Sequence, residues 1–496
     1  VRALLDTENP SAYRACREDA SDAKCKNMRR LSRRLLASLT PRILRYAGAV
    51  HRLIVAAVAA AGCHEAVTLS IVSDRPIPQG LDAICVGVAD VRATGGQFGR
   101  AYRLEGALAK LPQTLRVEPG SASDAFAWVR GDVGGTAIQR ASSPVGFGGG
   151  DITLALDTCA HGPSAAPQPI GSAVGPASAR LAASEGPGGV IVIAIGTSAS
   201  LIDGRGKALA ASSGPGLPPG NVVALATGDL DGDCDDDVIV ASDGAPPEIW
   251  IRDHDQFVDS GVAIGTLPVS AIAIGDVDRD GDLDVILGRG GTLELWRNDG
   301  GASFTHDKAA LSAGGRLTAI SALALADLDG DGNPELVVGQ ANAPLEAWLG
   351  DPGGTGSFAA SDAIVPAVTL DVERLTLVDS DGDFQPDLAV AVSGAAMRLL
   401  IDRGGHLEDQ SFVRLPQPAP TAHAIAIADW DDGCPPDAVI ASDAGTPTWR
   451  GQQGGVFAAE SSTAPGANDV VFTDIDGDGE LDAIFATPSG VQWLAR

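Results

Sequence analysis

Six stretches of this 496-residue chain carry carboxylates at a spacing suited to gripping a hard cation. The first is Asp229-Leu230-Asp231-Gly232-Asp233-Cys234-Asp235-Asp236-Asp237, and the second is Asp276-Val277-Asp278-Arg279-Asp280-Gly281-Asp282-Leu283-Asp284. The third places Asp327, Asp329, Asp331 and Glu335 in the same frame, with Glu335 in the ninth position that Asp fills elsewhere. The fourth offers Asp379, Asp381, Asp383 and Asp387, and the sixth Asp474, Asp476, Asp478 and Asp482. The fifth is poorer: Asp429, Asp431 and Asp437 keep their places, but Gly433 removes the fifth-position carboxylate. Carboxylates at positions 1, 3 and 5 meet at one point when the chain turns sharply, which glycine at position 4 or 6 permits. An acid at position 9 closes the shell, and a backbone carbonyl near position 7 adds another oxygen. Hard oxygen ligands on a flexible loop select Ca²⁺ over Zn²⁺ and, by their number, over Mg²⁺. Without a cation, four carboxylates so close repel one another. Five or six Ca²⁺ sites are therefore expected, the loop at Asp429 being the doubtful one.

The elements that position these loops are strands. The first Asp residues fall at 229, 276, 327, 379, 429 and 474, a fixed-period repeat of 45 to 52 residues. An alternating run such as Ser270-Ala271-Ile272-Ala273-Ile274 precedes each loop, and an apolar run such as Val285-Ile286-Leu287 follows it. Some 20 residues past each first Asp comes Trp250, Trp296, Trp348, Leu399, Trp449 or Trp493. A turn and a second apolar residue follow: Phe257, Phe304, Phe358, Leu407 or Phe457. A tryptophan series can stack on sugars, but at one fixed place per repeat it reads as core between repeats. Four strands in about 50 residues is the arithmetic of a propeller blade.

With those residues in view, the loops resemble FG-GAP/VCBS repeats, whose members include the propeller of integrin α-subunits. The resemblance covers about residues 221–496. It implies that each Asp loop joins the innermost strand of a blade to the next strand, and that the loop carboxylates ligate Ca²⁺. Residues 176–220 have blade length and a strand-like run from Gly189 to Gly196 but no Asp loop. One metal-free blade plus six gives an all-β, seven-bladed propeller over 176–496; six or eight blades are the alternatives. The last repeat ends after its third strand, so ring closure requires a strand donated from between 165 and 178, because an open edge invites aggregation.

The segments before the propeller carry an address rather than chemistry. Residues 1–62 read as a leader whose first residue, Val1, implies either an alternative start codon or a start placed too early: a basic run, Met28-Arg29-Arg30-Leu31-Ser32-Arg33-Arg34, precedes an apolar stretch that ends Ala60-Ala61-Gly62-Cys63. That stretch is too short to span a bilayer but suits a signal-peptide core. Its ending resembles the bacterial lipobox, with Ala60 where Leu is commonest, and implies lipidation of Cys63. Residues 63–160 read as a small β-sandwich domain and 161–175 as a linker rich in Ala, Pro, Ser and Gly. Cys85 and Cys159 fall in strand-like runs and are expected to pair in an oxidising compartment. Cys234 and Cys434, in loops of non-adjacent blades, are expected not to.

Composition narrows the function. A net charge of −29 argues against nucleic acid as the partner, which needs a basic face. Neither a nucleophile elbow, a zinc-protease helix nor a phosphate-binding loop occurs. The expectation is an exported, lipid-anchored protein of a bacterial outer membrane or cell surface. Its propeller would act as a protein- or glycan-binding, adhesion or scaffold module, with contact to the membrane through the lipid alone. A Ca²⁺-dependent carbohydrate-active enzyme, such as a propeller polysaccharide lyase, is the rival.

Overall fold

In the computed structural model the described residues are the strands between 65 and 156 and, short loop segments apart, residues 173–495. The leader, Cys63, Cys159 and most of the linker lie outside them, as do Asp379, Asp383, Asp429, Asp431, Asp478, Cys234 and Cys434 and the side chain of Cys85.

Among the described residues, seven strands precede the propeller and form two sheets. Gln113–Val117 pairs antiparallel with Glu65–Ser73, which pairs parallel with Gly148–Leu156. Phe98–Arg103, Ala83–Asp90, Asp124–Val133 and Thr136–Gly146 make a second, antiparallel sheet. Leu69, Ile71, Ile84, Val86 and Val129 are buried. The parallel pair departs from a sandwich assembled from hairpins alone.

Among the described residues, 180–494 form seven blade sheets, and a two-stranded sheet of Ala343–Pro344 with Thr369–Leu370 lies beside blade 4. Blade 1 is Arg180–Ser184, Ile191–Ile195, Ala199–Asp203 and Ala210–Ser213. Blade 2 is Val222–Gly228, Asp237–Ser242, Glu248–Asp253 and Gln256–Ala263. Blade 3 is Ala271–Gly275, Asp284–Arg289, Thr292–Asn298 and Phe304–Asp307. Blade 4 is Ile320–Ala326, Glu335–Gln340, Glu346–Gly350 and Phe358–Ser361. Blade 5 is Val372–Val378, Asp387–Val392, Arg398–Asp402 and Leu407–Asp409. Blade 6 is Ala424–Ala428, Asp437–Ala441, Thr448–Gln452 and Val456–Ala459. Blade 7 has three strands, Asp469–Thr473, Asp482–Thr487 and Gly490–Leu494.

The first strand of each blade contacts the first strands of the blades on either side, and blade 7 meets blade 1, so seven innermost strands close a ring. The chain itself supplies the latch. Val174 pairs antiparallel with Val491, exchanging N–H···O bonds of 2.8 and 2.7 Å, and so takes the fourth place in blade 7. That lies inside the segment from which the sequence required a closing strand.

Cores lie between blades. Trp250 packs with Ile193, Ile195 and Leu201 of blade 1, Trp348 with Ile286 and Leu295 of blade 3, and Trp449 with Leu399 and Ile401 of blade 5. The three tryptophans are buried, which assigns them to packing rather than to an exposed stacking surface. Second strands such as Asp237–Ser242 and Glu335–Gln340 are buried on both faces, hence their continuous apolar runs.

Candidate metal centres

Each Asp loop closes the hairpin between a blade's first and second strands, and its register is fixed by the ninth residue. Gly228 pairs with Asp237, Gly275 with Asp284, Ala326 with Glu335, Val378 with Asp387, Ala428 with Asp437 and Thr473 with Asp482. Eight residues therefore make every turn. The chain winds by short side-chain-to-backbone bonds: Asp229 Oδ1 accepts from the N–H groups of Gly232 and Asp233 at 2.8 and 3.0 Å. Asp231 Oδ1 accepts from Asp233 N–H at 3.2 Å, and Asp233 Oδ1 from Asp235 N–H at 2.9 Å. In the first two loops position 4 takes a left-handed backbone. Gly232 does so at φ 83° without steric cost, and Arg279 does so at φ 63° while its Nη2 donates to Asp331 O.

Among the described residues, four loops gather three carboxylates so that one oxygen from each lies within 4.8 Å of the others. The groups are Asp229, Asp231 and Asp237; Asp276, Asp278 and Asp284; Asp327, Asp329 and Glu335; and Asp474, Asp476 and Asp482. Positions 1, 3 and 9 are thus brought together as the spacing predicts. The fifth-position carboxylates Asp233, Asp280 and Asp331 are not in these groups. Asp280 Oδ1 instead accepts from Asp282 N–H at 3.0 Å and Asp331 Oδ1 from Asn333 N–H at 2.7 Å, which holds the turn. Asp282 and Asn333 stand at position 7, so the fifth side chain orders the residue whose carbonyl the sequence had proposed as a further ligand.

The ninth carboxylate has a second task that the sequence did not reveal. Its two oxygens accept backbone N–H groups, one from loop position 2 and one from the third strand. Asp237 takes Leu230 N–H at 2.9 Å and Arg252 N–H at 2.8 Å. Asp284 takes Val277 N–H at 3.0 Å and Asn298 N–H at 2.8 Å. Glu335 takes Leu328 N–H at 2.8 Å and Gly350 N–H at 3.4 Å, its longer side chain reaching the same partners. Asp387 takes Ser380 N–H and Asp402 N–H at 3.0 and 2.8 Å. In the fifth loop Asp437 still accepts Gly451 N–H at 2.8 Å, and in the sixth Asp482 accepts Ile475 N–H at 3.2 Å. These residues are buried, so each loop is stapled to its blade from inside.

Burial and mutual repulsion set the electrostatics. Burial pushes Asp237 up to about 9, against the opposing pull of the Arg252 and Leu230 N–H groups. Burial likewise raises Asp284, Glu335 and Asp387 to about 7 each, and burial together with Asp233 raises Asp231 to about 6. At these positions burial outweighs the hydrogen bonds and, at Asp284, the pull of the nearby Arg297. Asp278 Oδ1 and Asp381 Oδ1 are buried and accept no hydrogen bond. All-carboxylate donors and unsatisfied buried oxygens fit a hard divalent cation such as Ca²⁺.

Among the described residues arginines reach at least three loops, Arg252 Nε lying 3.6 Å from Asp235 of the first. Arg297 ion-pairs with Asp278 at 2.5 Å and with Asp307 at 2.9 Å, so the second loop carries one fixed positive neighbour. In the fourth loop Asp381 receives both Arg414 at 3.0 Å and Arg403 at 3.3 Å. Arg414 comes from a single helical turn, Ser411–Arg414, that follows blade 5.

A family model agrees with the repeat frame of the loops. Residues 229–287, 276–338 and 327–390 each match the FG-GAP-like repeat, every match starting on the first Asp of one loop and running through the next. No curated protein matches the chain. Among solved structures, BBS1N in complex with ARL6DN is 13% identical with a TM-score of 0.44, covering 67% of this chain and 95% of that one. An Agrocybe aegerita lectin that recognises non-reducing terminal N-acetylglucosamine is 18% identical, TM-score 0.43, covering 66% of this chain and 97% of that one. The BP39L lectin from Burkholderia pseudomallei is 16% identical, TM-score 0.44, covering 64% and 98%. The chain therefore carries FG-GAP-like repeats within a seven-bladed propeller.

Proposed function

We propose that this protein is a Ca²⁺-stabilised binding or scaffold propeller, displayed outside the cytoplasm on a lipid anchor at Cys63 and engaging a protein or glycan ligand. One observation carries the metal part: three carboxylates per loop converge within 4.8 Å in four loops of the same frame. A cation at each site would remove the repulsion and tie the loop to the ring. The display part rests on the basic run, the apolar stretch and Cys63. The ligand-binding part rests on architecture: strongly perturbed carboxylates occur in the structural loops, leaving the blade faces to partners.

The test has three arms. Calorimetry on the chelator-stripped protein should show several equivalents of Ca²⁺ and weaker Mg²⁺ binding. Melting should rise with Ca²⁺, because a ligand at 100-fold its Kd adds about 2.7 kcal/mol per site. Mass spectrometry of membrane-extracted protein should find an acylated Cys63 peptide, and glycan arrays with pull-downs should identify the ligand. Absence of Ca²⁺ binding removes the metal reading, and an unmodified peptide running through Cys63 removes the anchor.

A further inference from the structure

Among the described residues, the fourth loop stands apart in what already surrounds its carboxylates. Asp381, at position 3, accepts through Oδ2 from two guanidiniums, Arg414 Nη2 at 3.0 Å and Arg403 Nη1 at 3.3 Å. In the second loop the ratio is reversed, because Arg297 divides one positive charge between Asp278 and Asp307. The ninth carboxylate of the fourth loop is also more fully engaged. Asp387 Oδ2 accepts both the N–H and the hydroxyl of Ser380, while its Oδ1 accepts Asp402 N–H. Position 2 is Leu230, Val277, Leu328, Trp430 or Ile475 in the other loops, so the sequence gives that extra hydroxyl donor to this loop alone.

Arg414 is built into its place rather than laid on the surface. It is buried, and its Nε donates to Gln410 Oε1 at 2.6 Å. The helical turn that carries it leaves Phe412 83% and Val413 71% exposed, so burial of those two does not hold the turn down. What the turn buries is Arg414 and Ser411, whose hydroxyl accepts Leu399 N–H at 2.9 Å from blade 5's third strand. From the other side, the turn between the third and fourth strands of blade 6 closes over the pair. Gly455 sits there at φ 68°, and a Cβ on it would collide with Arg414 Nη1 and fall 2.6 Å from Asp381 Cβ. A guanidinium so enclosed requires a permanent anion beside it. Asp381 Oδ1 is buried and accepts no hydrogen bond, so an ion arriving there would share Asp381 with two guanidiniums.

We propose that Arg414 is the built-in cation of the fourth loop, supplying the positive charge that the other loops take from Ca²⁺, so that this loop stays metal-free when they fill. The inference rests on the calcium reading of those loops and narrows it. Calcium needs several carboxylate oxygens with lone pairs to spare. An oxygen has two, and Asp381 Oδ2 and Asp387 Oδ2 each already accept from two donors. The guanidiniums also repel a divalent ion at short range. The ring is then unevenly dependent on metal. The joint between blades 5 and 6, which Arg414 and Gly455 make, holds in chelator, while the loops that gather three carboxylates loosen.

The test counts Ca²⁺ on the full chain by titration calorimetry after chelator stripping. Asp381→Asn should leave the wild-type stoichiometry unchanged. Arg414→Gln should gain one equivalent, and Asp381→Asn added to it should remove that equivalent again. Melts in excess chelator read the arginine with no metal present. There Arg414→Gln, which leaves Asp381 buried without its partner, should melt below the wild type. Asp381→Asn should then cost less in that background than it costs alone, because residues in contact are not additive. Should Arg414→Gln not fold, the stoichiometry of Asp381→Asn decides by itself. A wild type that binds no Ca²⁺ sinks the calcium reading of the other loops, while the coupling in chelator still decides the role of Arg414. The proposal is overturned if Asp381→Asn removes one equivalent from the wild type, if Arg414→Gln gains none in a chain whose other loops fill, or if the two substitutions are additive in chelator.

Discussion

Asp284→Asn separates the two tasks of a ninth-position carboxylate. The wild-type side chain is 1% exposed and accepts N–H groups from Val277 and Asn298 through its two oxygens. Asparagine keeps one oxygen and turns an NH₂ group toward the other N–H, so one charge-assisted bond is lost and two buried donors face each other. A hydrogen bond to a charged group is worth about 1.5–3 kcal/mol, and an unsatisfied buried donor costs about 1–3 kcal/mol, giving a combined loss of about 3 kcal/mol. At an unfolding entropy of about 2.1 cal/mol/K per residue over roughly 320 residues, that loss lowers the melting temperature by about 4–5 °C. Calorimetric melts in excess chelator measure it with the metal contribution removed. Asp278→Asn is the comparison: its side chain is partly exposed and holds Arg297 in an ion pair of modest worth, so the chelated variant should fall by about 1 °C or less. If the two variants melt alike in chelator, the ninth carboxylate is a metal ligand only and the staple argument is wrong.

Calcium stoichiometry should fall by one equivalent in Asp278→Ala and stay unchanged in Asp431→Ala, whose loop already lacks a ligand at Gly433; titration calorimetry decides between them. Calcium affinity should rise from pH 6 to pH 8 with release of protons, because Asp284 and Glu335 at about 7 and Asp237 at about 9 must be deprotonated to serve the ion. Calorimetry in buffers of different ionisation enthalpy reads those protons. The metal-free protein should show the converse. Folded-state values raised above the unfolded value of about 3.9 give stability that is full below it and is lost as pH climbs through 7 to 9. His423 is raised by its bonds to Glu373 and Asp443 despite burial, so its contribution is full below the unfolded value of about 6.5 and fades above it. His423→Ala should flatten the melting profile between about pH 6 and 8.

The loops were legible because their information is local. Nine consecutive residues carry both the turn and the ligand frame, and the fixed period orders them around the ring. Trp250, Trp348 and Trp449 were legible as core for the same reason, since one place per repeat maps to one place per blade. The closing strand followed from counting strands in the last repeat. What the sequence hid comes from pairs far apart in the chain. Arg374 and Asp469 stand 95 residues apart, and nothing near either announces that a ring will bring them together. The staple was hidden differently: an acid at position 9 looks like a ligand, whereas its bonds to the third strand exist only once the sheet has formed. Arg414 on Asp381 was hidden because a helical turn between blades delivers it.

The staple also explains how loops in one ring can differ in metal chemistry without loss of the blade. Positions 1, 3 and 9 converge on one point, and position 9 in addition holds the hairpin to the third strand through its backbone N–H bonds. Asp437 shows the separation, because its bond to Gly451 N–H is in place in the loop where Gly433 has removed a ligand. Blade 1 has no Asp loop, and its neighbour supplies the equivalent anchor. Ser184 ends blade 1's first strand, where the other blades begin their loops, and its carbonyl and hydroxyl oxygens take Arg252 Nη1 at 2.7 and 2.9 Å. Arg252 lies in blade 2, donates its own N–H to Asp237 and sits 3.6 Å from Asp235. Its guanidinium is buried and positive, so it provides blade 1 with the charge-backed tether that the other blades build from a carboxylate. Calcium entering the first loop would therefore stiffen the joint between blades 1 and 2 as well as its own hairpin, beside the blade 7 seam that Val174 closes.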